Sequence, residues 1–231
     1  MITGALASSI KNMAAALTDR GQAPQPDHAV TELRLADTTT TALDAASVDL
    51  VLTSPPYCTR IDYSAATRIE LAVLHSLVCL QMEDLGRRMI GSTRVPDHAI
   101  AVENSWGDTC GRFLAALKVH PSKASGGYYY KTHLDYFEKM SRSLANVSTS
   151  LKPGGAAILV VQDSYYKDIH NDLPTITAEM ATAKGLKLRR RVDFHLTRSM
   201  AGINPHTRTY KRAAGAIEAV LCFEKIEGSA L

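Results

Sequence analysis

From Glu32 onward the chain alternates short apolar runs with longer stretches whose apolar residues recur every three or four positions. Residues 47–52 and 156–162 (AAILVVQ) are continuous apolar runs, the signature of strands in a sheet buried on both faces. ELRLAD (32–37) alternates briefly and reads as a short strand ending at Asp37, before four threonines. Helical spacing covers 2–20 (Ala5, Ile10, Ala14, Leu17), 69–85, 131–151 (Leu134, Phe137, Met140, Leu144, Val147, Leu151) and 175–184. LKPGG (151–155) is expected to close the third helix, with a glycine taking the left-handed conformation. Residues 186–196 alternate as a strand, and 216–225 (AIEAVLCFEK) form the last one.

The order from Glu32 is therefore β, β, α, irregular segment, α, β, α, β, loop, β. Strands alternating with helices predict an α/β fold, a mostly parallel sheet covered on both sides, with an antiparallel last strand. We expect an N-terminal helix and loop over 1–30, a main domain over 31–225 with an insertion at about 86–130 outside the framework, and a short tail over 226–231. Ligands of such sheets sit at the carboxyl ends of the strands. Asp37, Ser54 to Tyr57 and Gln162 to Ser164 all occupy predicted strand ends, so they are expected to converge on one crevice.

Composition narrows the class. At 231 residues, with 45% apolar and 21% charged residues, the chain can bury a core. Its formal net charge of +3 does not announce a nucleic-acid binder, so the basic clusters must be judged singly. KLRRR (187–191) reads as a solvated strand face, whereas HTRTYKR (206–212) lies in a loop suited to phosphate contacts. Cys58, Cys79, Cys110 and Cys222 show no zinc-ligand spacing and read as reduced thiols of a cytoplasmic protein. No run reaches the ~18 apolar residues that span a bilayer.

The chemistry concentrates in DLVLTSPPYC (49–58), where an apolar strand stops at two prolines. Proline lacks an N–H and fixes φ, and it forces the preceding residue to be extended. Ser54, Pro55 and Pro56 thus make a stiff ledge of hydrogen-bond acceptors, and Tyr57 adds a flat face. Such a pair suits an exocyclic amino group of a nucleobase, since stacking on an aromatic ring is worth roughly 1–3 kcal/mol per base.

On these residues the chain resembles the amino-directed DNA methyltransferases, which use S-adenosylmethionine. The resemblance is carried by DLVLTSPPY (49–57), IDYSAATRIEL (61–71), YFEKM (136–140), LKPGGAAILVV (151–161) and AIEAVLCFEK (216–225). It implies a Rossmann-like methyltransferase fold and direct methyl transfer to a base flipped from the helix, with no covalent enzyme intermediate. Ser54, Pro55, Pro56 and Tyr57 would be catalytic. Asp37, Thr53, Ser54 and Gln162 would contact the cofactor. Arg68, Arg208, Lys211 and Arg212 would contact DNA. A serine ahead of the prolines is similar to the cytosine N4-directed members rather than the adenine N6-directed ones.

One family element is missing. Members hold the methionine part of the cofactor at a glycine-rich turn, yet before Asp49 this chain has only Gly4 and Gly21. In the family's sheet two further strands would lie between ELRLAD and the strand ending at TSPPY. The favoured arrangement is a second protein chain that supplies those strands and the glycine-rich loop. A shortened chain and a degenerate cofactor site are the alternatives, and a non-catalytic binding subunit or an RNA methyltransferase are the rival functions.

Overall fold

A strand exists only where a neighbour completes its ladder, and that requirement shapes this fold more than the apolar pattern does. A computed structural model of the chain describes residues 11, 12, 15, 31–34, 36–41, 43–58, 63–78, 82–96, 98–195 and 216–226, and the statements below concern these residues. The chain divides into two units, Met1–Ala36 and Asp37–Leu231, so the boundary falls later than the expected one near residue 30.

In the first unit, residues 32–34 and 36 are not in a strand, and neither is Asp37 at the start of the second unit, contrary to expectation. Among the described residues 32–34 and 36–37 none joins a ladder: Leu33 is 92% exposed, and Arg34 bridges Glu32 at 2.6 Å.

The second unit is built on β1 (Val48–Thr53), β2 (Leu151–Gln162), β5 (Leu186–His195) and β6 (Ile217–Lys225). Their order is β1-β2-β6-β5. β1 and β2 are parallel, and β6 runs antiparallel to both β2 and β5. The antiparallel last strand expected from sequence thus lies between two strands of the opposite direction. A two-stranded hairpin, β3 (Ser164–Tyr166) and β4 (Ile169–Asn171), follows β2 and was not foreseen, because its turn has no glycine; Lys167 itself takes φ +58°.

The helices are α1 (Tyr63–Ala66), α2 (Arg68–Val78), α3 (Met82–Arg88), α4 (Asp108–Val119), α5 (Tyr130–Ser150) and α6 (Leu173–Ala183). No described helix is long and apolar enough to cross a membrane. α5 carries Phe137, Met140 and Leu144 on one stripe, all buried, which is the period of a helix facing a core. Against it pack α4 and α6, with Ile176 and Met180, and the inward residues of β2 and β6: Ala157, Leu159, Val161, Leu221 and Phe223.

Two expectations need correction. The segment 86–130 is not outside the framework: Trp106, Phe113, Leu114 and Leu117 are among the most buried side chains of the core. Its glycines and prolines mark the turns around α4, while the apolar spacing inside α4 is that of a core helix. The sheet is also not covered equally on both faces. Helices α4, α5 and α6 share one layer, whereas Ile158, Val160, Val192, Val220 and Cys222 on the other face are only half-buried, and Phe194 is exposed. A continuous apolar run says that a face needs cover, not which chain provides it.

LKPGG also acts differently from expectation. The helix ends at Ser150, and 151–155 open β2. The register passes from Val48↔Leu151 to Leu50↔Ala156, so the chain bulges here. Gly154 takes φ +76°, and a Cβ on Gly155 would lie 3.2 Å from the Asp49 carbonyl. These glycines let β2 close up against β1.

Candidate active site

TSPPYC leaves the carboxyl end of β1, and the structure pins its backbone from three elements. Two prolines remove two donors, so the loop must be held through its carbonyls. The Tyr136 hydroxyl, from α5, donates to the Pro56 carbonyl at 2.7 Å. Ser164 donates to the Cys58 carbonyl at 3.0 Å and is itself held by the Asn171 amide at 3.0 Å. The Tyr57 N–H donates to the Tyr63 hydroxyl, at a longer 3.4 Å. Tyr136 is fully buried, and burial pushes its phenol well above the ordinary tyrosine range, so it stays a neutral donor.

Side chains complete the arrangement. The Tyr57 hydroxyl donates to Glu218 Oε1 of β6 at 2.6 Å. Burial, then the Glu218 carboxylate, raises the Tyr57 phenol above its usual value, while Ser54 opposes the shift. Ser54 is exposed and donates its own proton to the Val160 carbonyl at 3.3 Å. The Pro55 carbonyl accepts no hydrogen bond from a described residue, in contrast with its neighbours at Pro56 and Cys58.

Ser54, Pro55, Pro56 and Tyr57 therefore form one rigid group at the ends of β1 and β2. Gln162 joins them, because its register partner on β6 is Glu218. Thr53 is exposed beside them at the end of β1. Asp163, by contrast, is structural: its buried carboxylate accepts from the Ile217 N–H at 2.8 Å and from His170 at 2.9 Å, locking β2 to β6.

Asp37 is not brought to this group. Its carboxylate caps a turn, accepting from the Thr39 N–H at 2.9 Å and the Thr39 hydroxyl at 2.7 Å, and it pairs with Arg88 at 3.3 Å. Burial alone would raise the acid, but the Thr39 and Arg88 hydrogen bonds outweigh it and hold the carboxyl below the aspartate range. The next residue, Thr38, bonds Ser143 and Asn146 on α5. Ser143 lies about 10 Å along the helix from Tyr136, at ~1.5 Å per residue. The expected convergence fails because Asp37 ends no strand.

Arg68 is exposed at the start of α2. Arg208, Lys211 and Arg212 lie outside the described residues. KLRRR behaves as a solvated strand, with Arg189 paired to Glu224 and Arg191 to Asp193, both at 2.7 Å. Cys58 is packed at 6% exposure. Burial pushes the Cys110 thiol far above the usual range. Among the described residues no cluster of His, Cys, Asp and Glu can hold a metal ion.

Sequence reasoning did not single out Tyr136 and Glu218, the two props of the loop. Glu218 had a signal: it is an acid inside an otherwise apolar buried strand.

No protein-family model matches the chain, and no curated protein matches it. Among solved structures it is similar to a candidate DNA modification methylase of Thermus thermophilus. In complex with S-adenosyl-L-methionine that protein is 15% identical over 85% of this chain and 56% of its own, with a TM-score of 0.45. Without that ligand the figures are 17%, 85% and 55%, with a TM-score of 0.42. The chain spans about half the length of these structures.

Proposed function

We propose that this chain is the catalytic half of an amino-directed DNA methyltransferase that acts on a flipped base, with cytosine N4 as the favoured target. The single observation that carries the reading is the contrast within the TSPPY loop. The carbonyls of Pro56 and Cys58 are occupied from within, whereas Ser54 is exposed and the Pro55 carbonyl accepts no hydrogen bond from a described residue.

An exocyclic amine is a weak nucleophile because its lone pair is shared with the ring. Two acceptors on its N–H groups favour a pyramidal nitrogen and stabilise the positive charge that grows there. In this reading Ser54 and the Pro55 carbonyl are those acceptors and the Tyr57 ring is the stacking face, supported by its bond to Glu218. S-adenosylmethionine supplies the electrophilic methyl group when bound. A proton leaves the amine as the new N–C bond forms, and no covalent enzyme intermediate is required.

The residues present fit the amine half of such a site but only part of the donor half. Residues 1–47 contain only the glycines Gly4 and Gly21, and Asp37 is engaged elsewhere. Among the described residues β1 is the edge of the sheet, and Leu50 and Leu52 on it are 54% and 70% exposed. A second polypeptide lying along this edge, bringing strands and a glycine-rich turn, would complete both the sheet and the donor site.

The test is transfer of a labelled methyl group from S-adenosylmethionine to duplex DNA, by the chain alone and together with the products of its neighbouring reading frames. Label in DNA that depends on a second product supports the reading. Label in RNA, or none in any combination, refutes it.

A further inference from the structure

Two cavities of the Asp37–Leu231 unit share Pro96 and His98 and so form one groove beside α5. The first, of about 460 Å³, is lined by Lys118, Tyr130 and Lys131. The second, of about 230 Å³, is lined by Arg87, Arg88, Arg94, Lys139 and Arg142. These seven cations face two carboxylates among the described lining residues, Asp37 and Asp135, a surplus of five. The whole chain carries only +3, so its positive charge is gathered here and balanced elsewhere.

The cations fall into two kinds. Lys139 is a half-buried brace: its ammonium donates to Asp135 at 2.8 Å and to the Arg87 carbonyl at 2.6 Å. Arg88 pairs with Asp37. Arg87, Lys131 and Arg142 are exposed and make no side-chain hydrogen bond or ion pair with a described residue. Lys118 lies over the Tyr130 ring, 5.5 Å from its centre.

Spacing decides what kind of anion fits. Lys131, Asp135, Lys139 and Arg142 follow one another at steps of four, four and three, so they share one face of α5. Lys131 and Arg142 are about 16 Å apart along the axis, at ~1.5 Å per residue, the length of about five phosphates of one strand at ~3.4 Å each. A small anion needs cations that converge on a point, whereas these are strung along a groove.

We propose that this groove grips the sugar–phosphate backbone of duplex DNA, with Arg87, Lys131 and Arg142 as the phosphate contacts. The proposal deepens the methyltransferase reading and rests on it only for the choice of DNA as the polyanion. The groove runs on the same helix whose Tyr136 props the TSPPY loop, so backbone binding and catalytic loop share a rigid support.

The test uses the full chain and a fluorescent duplex, read by anisotropy across a salt series. Arg87→Gln/Lys131→Gln/Arg142→Gln should lower the slope of log K against log salt by about two to three and weaken binding about tenfold or more, equally for unrelated sequences. The three side chains are exposed, so an unchanged melting temperature is expected, and Lys131→Glu alone gives a second reading. An unchanged slope in both groove variants overturns the proposal, and does so without touching the methyl-transfer reading. Displacement of the duplex by inorganic phosphate beyond the effect of chloride at equal ionic strength, or tighter binding of single-stranded RNA through the same residues, overturns it as well.

Discussion

Glu218 accepts a hydrogen bond from the Tyr57 phenol at 2.6 Å, and so ties the end of the TSPPY loop to a strand 161 residues further along the chain. The bond fixes the plane of the ring that the proposed base would stack on. Glu218→Gln keeps an acceptor of the same size, whereas Glu218→Ala removes it. We expect Glu218→Ala to raise KM for DNA and lower kcat about tenfold, and Glu218→Gln to recover most of the loss, since orientation rather than charge is what the site uses. Equal losses in the two variants would contradict this.

The same pair makes a prediction about pH. Burial and Glu218 raise the Tyr57 phenol above its usual value near 10.0. A group whose folded pKa is raised contributes stability that is present below its unfolded pKa and is lost as pH rises through the folded one. Phenolate absorbance should therefore assign to Tyr57 a transition above 10.0, moving back toward that value in Glu218→Ala. A wild-type transition at or below the ordinary value would show the bond to be absent.

Tyr136 props the loop from beneath. Tyr136→Phe leaves the half-buried Pro56 carbonyl without its hydroxyl partner, which costs about 1 kcal/mol. Denaturant unfolding should show that loss with an unchanged m value. A variant as stable as wild type would mean that the carbonyl finds another donor.

Gly107 opens α4 with φ +87°, and a Cβ there would lie 2.5 Å from the Cβ of Glu179, whose carboxylate holds the Thr109 N–H and hydroxyl. Gly107→Ala should cost at least ~1 kcal/mol, from the left-handed backbone together with the displaced carboxylate. Thermal melting checks this, and an unchanged melting temperature would contradict the packing described for α4.

How far the sequence could be read follows from where each signal lives. AAILVVQ and AIEAVLCFEK announced β2 and β6 because each run carries its own burial pattern, and TSPPY announced the end of β1 because proline chemistry is local. ELRLAD failed because pairing belongs to a neighbour, and the two-residue alternation is the same with or without one. Trp106, Phe113, Leu114 and Leu117 were hidden by the glycines and prolines around them. Tyr136 and Glu218 reach the loop only through tertiary packing. The basic groove was invisible because its cations come from three separate segments, none of them a cluster in the sequence.

The edge of the sheet gives a prediction about assembly. Leu52 is 70% exposed on β1, so Leu52→Lys should leave the chain's own stability within about 0.5 kcal/mol of wild type. The charge on the edge should nevertheless abolish association with a polypeptide that pairs along β1. Size-exclusion chromatography of the co-expressed products checks this, and an intact complex would place the partner elsewhere.

The central claim is that Ser54 and the Pro55 carbonyl hold an amine for methylation. Its most direct measurement is mass spectrometry of the bases of DNA methylated by wild type and by Ser54→Ala. The account predicts N4-methylcytosine from wild type and its loss, by about a hundredfold, in Ser54→Ala with DNA binding intact. Undiminished methylation by Ser54→Ala, or a methyl group on ring carbon rather than on an exocyclic amine, would contradict it.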